Sequence, residues 1–171
     1  MVSESARMNS AAEARFRVQS PNSLPRTIRV VALDEAGDRV VARLARQGWS
    51  HATFSTASAF PPPAGGDAAQ APDGWLRDLG GHPRRLADEV QEADLVVMVA
   101  GPGGRAHAAP VIGEACSRRR IMTTTLLVGA GTAPEPALSA TLAQVRPWSL
   151  MLVIAGADEY IEDMLTALRA A

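Results

Sequence analysis

The chain has 171 residues, enough for one domain with a sizeable core, and its 47% hydrophobic and 20% charged residues are typical of globular proteins. Its 17 basic and 18 acidic residues give a net charge of −1, which excludes the strongly basic surface of a nucleic-acid-binding protein. The single cysteine, Cys116, excludes a disulfide framework and a multi-cysteine metal site. No apolar run approaches the ~20 residues of a membrane helix, and no secretory signal is visible. We therefore expect a cytoplasmic protein with neither a nucleic-acid nor a membrane partner.

The N-terminal part of the sequence divides into an arm and the start of an α/β pattern. Residues 1–26 lack sustained periodicity and predict a flexible arm, whereas 27–171 predict a single domain. The elements predicted next are a strand over Ile28–Leu33, a turn at Asp34–Gly37, a helix from Val40 that stops at Gly48, a strand over Thr53–Thr56 and an exposed loop over Phe60–Gly74.

The rest of the chain continues the alternation of helices and strands. The predicted helices are Pro83–Ala93, Ala108–Ser117, Ala137–Val145 and Asp158–Ala170, and the predicted strands are Leu95–Ala100, Thr123–Val128 and Leu150–Ile154. The strands are continuously apolar, which is typical of a parallel sheet buried on both faces. The sequence therefore predicts a three-layer, doubly wound α/β fold of Rossmann-like type with a mainly parallel sheet.

In such a fold a ligand crevice lies beyond the carboxyl ends of the parallel strands. The segments predicted there are Asp34–Gly37, Gly101–Gly104, Gly129–Thr132 and Ala155–Ala157, and three of these four contain glycine. Glycine in these turns indicates a crevice in which backbone approaches a ligand, although short turns from strand to helix favour glycine without any ligand.

The segment Ala93–Glu114 contains a distinctive motif. An apolar strand follows Ala-Asp, a glycine-rich loop begins at Gly101, and the next helix opens with Ala-Ala-Pro-Val-Ile from Ala108. This pattern resembles FtsZ, the bacterial relative of tubulin. Weaker matches follow the same order as in that family, at Ile28–Leu33 with Ala36, Gly37, Val40 and Val41, at Gly80–Pro83 with Leu86 and Ala87, and at Leu150–Ile154. The resemblance implies the nucleotide-binding half of FtsZ, with GTP or GDP as its cofactor.

In that family the signature glycines let backbone N–H groups surround the phosphates, aided by the positive end of the following helix. The candidate cofactor-binding residues of this chain are Ala36, Gly37, Gly101, Gly103, Gly104, Arg105, His107 and Ala108. Two of them, Arg105 and His107, have no counterpart in the family. Either they grip an anion in place of the lost threonines, or they belong to an exposed loop that changed after its ligand was lost.

The phosphate-binding loops differ from the family pattern. The loop after Gly103 is two residues shorter and lacks both threonines, and Asp34, Glu35 and Asp38 replace two glycines and an amide. At ~4 Å, each pair of like unit charges costs ~1 kcal/mol in water, so the carboxylates disfavour a polyphosphate. They otherwise predict a helix cap at Asp34 or Asp38, or else a general-base or divalent-metal site.

Hydrolysis in the family uses acidic residues from a second half that this sequence does not contain, so we assign no catalytic residue and expect no GTPase activity. Three functions remain open from the sequence. The first is a non-hydrolysing binding or regulatory module with weakened or lost GTP binding, working as a homo-oligomer or with a protein partner. The second is an enzyme or cofactor-binding protein that uses the same crevice for another anionic ligand, and the third is residual GTP binding. The absence of Gly-x-Gly-x-x-Gly after the first strand argues against a standard dinucleotide site.

Overall fold

The structure is a computed structural model that describes residues 25–60, 75–155 and 159–168. Its strands are β1 (Ile28–Ala32), β2 (Ala52–Thr56), β3 (Leu76–Asp78), β4 (Pro83–Arg84), β5 (Leu95–Ala100), β6 (Met122–Val128) and β7 (Met151–Ala155). Its helices are α1 (Glu35–Leu44), α2 (Leu86–Gln91), α3 (Ala109–Arg119), α4 (Glu135–Val145) and α5 (Glu159–Ala167), with short 3₁₀ turns at Ala45–Gln47, Ala130–Thr132 and Arg146–Trp148. None of the described helices is long and apolar enough to cross a membrane.

The strands form one sheet in the order β4-β3-β2-β1-β5-β6-β7. Strand β1 pairs in parallel with β2 on one side and with β5 on the other, and β6 and β7 continue the parallel part. The chain therefore reverses its direction of winding at β1, so the carboxyl ends of β1 and β5 flank the topological switch point where ligands bind in open α/β sheets.

Alternate residues of the central strands face two separate apolar cores, one on each side of the sheet. One core joins Val40 and Leu44 of α1 to Ile161 of α5, and the other contains residues of α2, α3 and α4, such as Ile112 and Val145. All residues of β1 and β5 are buried, as expected of strands covered on both faces. The predicted α/β fold with a mainly parallel sheet and helices on both faces is confirmed.

The helix predicted over Pro83–Ala93 begins later than expected, because its first residues form a β-hairpin. Strands β3 and β4 pair antiparallel, and the carboxylate of Asp78 accepts hydrogen bonds from the backbone N–H groups of Gly80 and His82, both at 2.9 Å. Pro83 lies in the outermost strand, where its missing N–H costs no ladder hydrogen bond, and α2 starts only at Leu86.

The turn predicted at Asp34–Gly37 is also wrong in detail, because α1 already begins at Glu35 and Gly37 lies inside its first turn. The other predicted strands and helices are found with ends shifted by up to a few residues. The arm predicted over 1–26 lies outside the described residues except for Pro25 and Arg26, and so does the loop predicted over Phe60–Gly74 except for Phe60. Phe60 packs edge-to-face on Trp75, with ring centroids 4.7 Å apart.

Candidate functional site

The switch point of the sheet is occupied by the side chain of Asp34, which lies just beyond the end of β1 and caps α1. Its Oδ1 accepts a hydrogen bond from the backbone N–H of Gly37 at 2.8 Å, and its Oδ2 accepts one from the N–H of Gly101 at 2.9 Å. Asp34 is only 6% exposed, so this carboxylate is enclosed by the protein. The cap predicted at Asp34 or Asp38 is confirmed at Asp34, and the bond to Gly101 makes the same side chain a link to the end of β5.

Three of the predicted glycines make room for protein atoms at this point. A Cβ at Gly37 would overlap the backbone oxygen of Val99, and one at Gly101 would lie 2.5 Å from the Cβ of Ala36. A Cβ at Gly104 would overlap Oδ2 of Asp34 and lie 2.5 Å from its Cγ. The first turn of α1 thus packs directly on the end of β5, and the glycines permit that close approach.

The loop between β5 and α3 has most of its described N–H groups bonded to the protein. Gly103 has a φ of 78°, and its N–H donates to Oγ1 of Thr141 at 2.9 Å and to the backbone oxygen of Ala137 at 3.1 Å. The N–H of Gly104 donates to the oxygen of Gly101 at 3.1 Å, which closes a tight turn.

Helix α4 supplies two side chains to this loop that the sequence interpretation missed. Besides Thr141, which is fully buried, Gln144 accepts a hydrogen bond from the N–H of Ala106 at 3.1 Å. With Ala137 these residues recur at intervals of four and three, which places them on one face of a helix. That spacing is the signal in the sequence, but nothing in it indicates which loop the face contacts.

The remaining predicted site residues line the outer part of the same loop. Arg105 is exposed and His107 is half-buried, and neither side chain bonds to any residue that the structure describes. Ala108 is buried and precedes the first residue of α3, whose N-terminus has no side-chain cap. The eight candidate residues therefore lie along two adjoining segments, with Ala36, Gly37, Gly101 and Gly104 packed around Asp34.

The three carboxylates that follow β1 have three different partners. Asp34 binds backbone N–H groups, Glu35 pairs with Arg39 at 2.9 Å on the surface of α1, and Asp38 accepts a hydrogen bond from the hydroxyl of Thr56. No group of His, Cys, Asp and Glu that could hold a metal ion is found among the described residues. The alternative of a metal site built from these three carboxylates receives no support from this geometry.

No protein-family model matches the chain, and a comparison with curated proteins finds no significant match. Neither comparison therefore suggests a ligand or an activity for the switch point.

Burial of Asp34 makes the charged form of its carboxyl less favourable than it is in water. Burial raises the pKa of its carboxyl above the ordinary value of 3.8, and the nearby charge of Asp38 raises it further, while the N–H groups of Gly37 and Gly101 lower it part of the way back. A raised pKa means that the native protein binds this proton more tightly than the unfolded chain does. The contribution of Asp34 to stability is therefore fully present below pH 3.8 and falls as the pH rises through the raised pKa.

We therefore expect Asp34→Ala to lower the free energy of unfolding by about 1–2 kcal/mol at neutral pH. The variant loses the helix cap and the acceptor of the Gly101 N–H, and removal of a buried charge offsets part of this loss. The difference in free energy of unfolding between wild type and variant should be larger at acid pH, as long as both remain folded. Urea unfolding over a series of pH values measures it. Glu35→Ala, which removes an exposed carboxylate from the same helix turn, is the matched control for the loss of a carboxylate that does not cap α1. A difference that instead grows with rising pH for Asp34→Ala would contradict the raised pKa.

Proposed function

We propose that the chain is a divergent FtsZ-like domain that acts as a non-hydrolysing binding or regulatory module in which ordinary GTP binding is weakened or lost. The FtsZ-like part of the proposal rests on the sequence resemblance of Ala93–Glu114. One structural observation supports the loss of GTP binding: the carboxylate of Asp34 accepts hydrogen bonds from the backbone N–H groups at the switch point of the sheet. Those N–H groups, at the start of α1 and the end of β5, are the ones that a bound phosphate would need.

A nucleotide would have to compete with this internal anion. To bind in the family manner it must displace Asp34, break two hydrogen bonds and leave a carboxylate close to its phosphates. Each unit of like charge at ~4 Å costs ~1 kcal/mol in water and more where the surroundings are less polar. The N–H groups of Gly103, Gly104 and Ala106 also have acceptors within the protein, so they are not available without rearrangement of the loop.

The second candidate function is binding of another anionic ligand on the outer side of the same loop. Its supporting observation is that Arg105 is exposed and His107 half-buried, and that neither side chain has a bonding partner among the described residues. A guanidinium suits a phosphate or carboxylate because its planar donors match the two acceptor oxygens. This function leaves Asp34 in place and needs no guanine-specific contact.

A thermal-shift titration with GTP, GDP, ATP, NAD and inorganic phosphate, with and without magnesium, tests the proposal. A ligand that binds only the folded protein stabilises it by about 2.7 kcal/mol at a hundredfold excess over Kd. We expect no shift with any nucleotide for the wild type. Asp34→Ser retains an oxygen to cap Gly37 but removes the charge and frees the N–H of Gly101, so this variant should show a shift with phosphate or nucleotide.

The outcomes separate the candidate functions. A guanine-specific shift in the wild type, absent with ATP, NAD and phosphate, would mean that the altered loops still bind GTP, and the proposal would be wrong. A phosphate shift that is the same for all nucleotides and is lost in Arg105→Ala would favour the second candidate. Arg84→Ala, which removes an exposed arginine of the β-hairpin, is the matched control for Arg105→Ala.

A further inference from the structure

The two edges of the sheet differ in how they are protected against pairing with another chain. The edge at β4 is a strand of two residues, Pro83 and Arg84, and the strand beside it carries Arg77 and Asp78. Brevity, proline and charge are the features that keep a sheet edge from pairing. The edge at β7 has five residues, Met151–Ala155, with none of these features.

Strand β7 is uncharged well beyond its own limits. Between Arg146 and Asp158 the sequence contains no charged residue and, after Pro147, no proline. No strand pairs with the outer side of β7 in the part of the chain that the structure describes. The N–H of Leu150 donates to the backbone oxygen of Thr123 on β6, at 3.1 Å. Since successive N–H groups in a strand point to opposite sides, those of Met151 and Val153 point to the open edge.

Large apolar side chains are exposed along this edge. Leu150 is 75% exposed, Met151 49% and Ile154 50%, and Met122 at the start of β6 is 39% exposed. Successive residues of a strand face opposite sides of the sheet, so Leu150 and Ile154 are exposed on one face of this edge and Met151 and Met122 on the other. Apolar side chains therefore flank the open backbone edge on both faces, and a partner strand would cover them as it pairs.

We propose that β7 is a homodimer interface, in which it pairs antiparallel with β7 of a second copy of this chain. Antiparallel pairing of two identical strands about a two-fold axis is self-complementary, and an uncharged strand brings no like charges together. When the axis passes beside Leu152, Met151 of each copy lies opposite Val153 of the other, and their outward N–H and C=O groups bond. The same register places Leu150 of each copy opposite Ile154 of the other.

The symmetric register agrees with the directions of the backbone N–H groups of β7. Hydrogen-bonded and non-hydrogen-bonded pairs alternate along an antiparallel ladder. The residues with outward N–H groups fall on hydrogen-bonded pairs, and the two most exposed side chains of the edge fall on one non-hydrogen-bonded pair, where side chains are closest. The sheet then continues across the axis from one copy to the other.

Sedimentation velocity of the full chain over a wide range of concentrations tests the proposal. The wild type should change from monomer to dimer as the concentration rises. Leu150→Lys and Ile154→Glu should each weaken the dimer by roughly tenfold or more, because each change alters two symmetry-related pairs. The double variant Leu150→Lys/Ile154→Glu places opposite charges across both pairs and should recover part of the affinity.

Leu79→Lys is the matched control, because Leu79 is 46% exposed but lies in the hairpin at the other edge of the sheet. This variant should dimerise like the wild type. A wild type that stays monomeric at all concentrations would overturn the proposal, and so would a dimer that Leu150→Lys leaves intact. A double variant no tighter than the single variants would exclude this pairing.

Amide hydrogen exchange of the residues in β7 supplies an independent measurement. Their exchange should slow as the protein concentration rises, since the open edge becomes bonded only in the dimer. Protection that is the same at every concentration would mean that another segment of the same chain covers the edge, which also overturns the proposal.

Discussion

Gly104→Ala is expected to lower the free energy of unfolding by about 3 kcal/mol, because the new methyl group would occupy the position of the Asp34 carboxylate. Asp34 cannot simply rotate away, since both of its oxygens accept hydrogen bonds from buried N–H groups. The variant must therefore either move the loop, with the loss of its bonds to α4, or expel Asp34 and leave those N–H groups without partners. Urea or thermal unfolding measures the effect.

A double-mutant cycle shows whether the effect passes through Asp34. In an Asp34→Ala background most of the overlap is gone, although the remaining Cβ would still lie 3.0 Å from the new methyl group. Gly104→Ala should therefore cost clearly less there than in the wild type, with a coupling of about 1–2 kcal/mol. Gly131→Ala, at a glycine with open space around its Cβ position, should change stability by no more than about 0.5 kcal/mol. Additive effects of the two changes at positions 34 and 104 would mean that they do not meet in the folded protein.

Gly37→Ala is expected to have the largest effect, a loss of about 4 kcal/mol, because the added methyl group would overlap the backbone oxygen of Val99 rather than a side chain. That oxygen already accepts the N–H of Leu33 at 2.8 Å, within the central pair of strands, so it cannot yield without loss of sheet pairing. The first turn of α1 would have to lift from the sheet, with loss of the Asp34 cap.

Helix propensity predicts the opposite sign for this substitution, which makes the experiment informative. Alanine is more favourable than glycine by up to about 1 kcal/mol inside a helix, so any destabilisation measures the contact with the sheet. Ala42→Gly, at an exposed position of α1, reports the propensity alone and should cost about 1 kcal/mol. If Gly37→Ala proved neutral or stabilising, the close approach of α1 to β5 would not exist.

Much of the architecture could be predicted from the sequence because the central strands are continuous apolar runs. Strand β5 lies where its six apolar residues predict it, and the amphipathic spacing of Val40, Val41 and Leu44 predicts α1. These signals are strong because an apolar run, or apolar residues at helical spacing, can be recognised from the residues of that element alone. The cap at Asp34 is local in the same sense, since donor and acceptor are three residues apart.

The parts that the sequence interpretation missed depend on residues far apart in the chain. The β-hairpin of β3 and β4 is short, and Pro83 before a helical pattern is as suitable for a first helical turn as for an edge strand. The contacts of Gly103 and Ala106 with Thr141 and Gln144 join segments separated by 38 residues. A single sequence contains the spacing of such side chains but not their partner.

The second hydrogen bond of Asp34 also concerns how the chain reaches its folded state. It joins residues 67 positions apart, whereas the bond to Gly37 closes within one helical turn. A contact of that sequence separation forms only after a long loop has been closed at an entropic cost. The cap of α1 can therefore form before β5 has docked, whereas the hydrogen bond to Gly101 cannot. Formation of this link is therefore expected to belong to the late, cooperative part of folding, in which the two halves of the sheet join at β1 and β5.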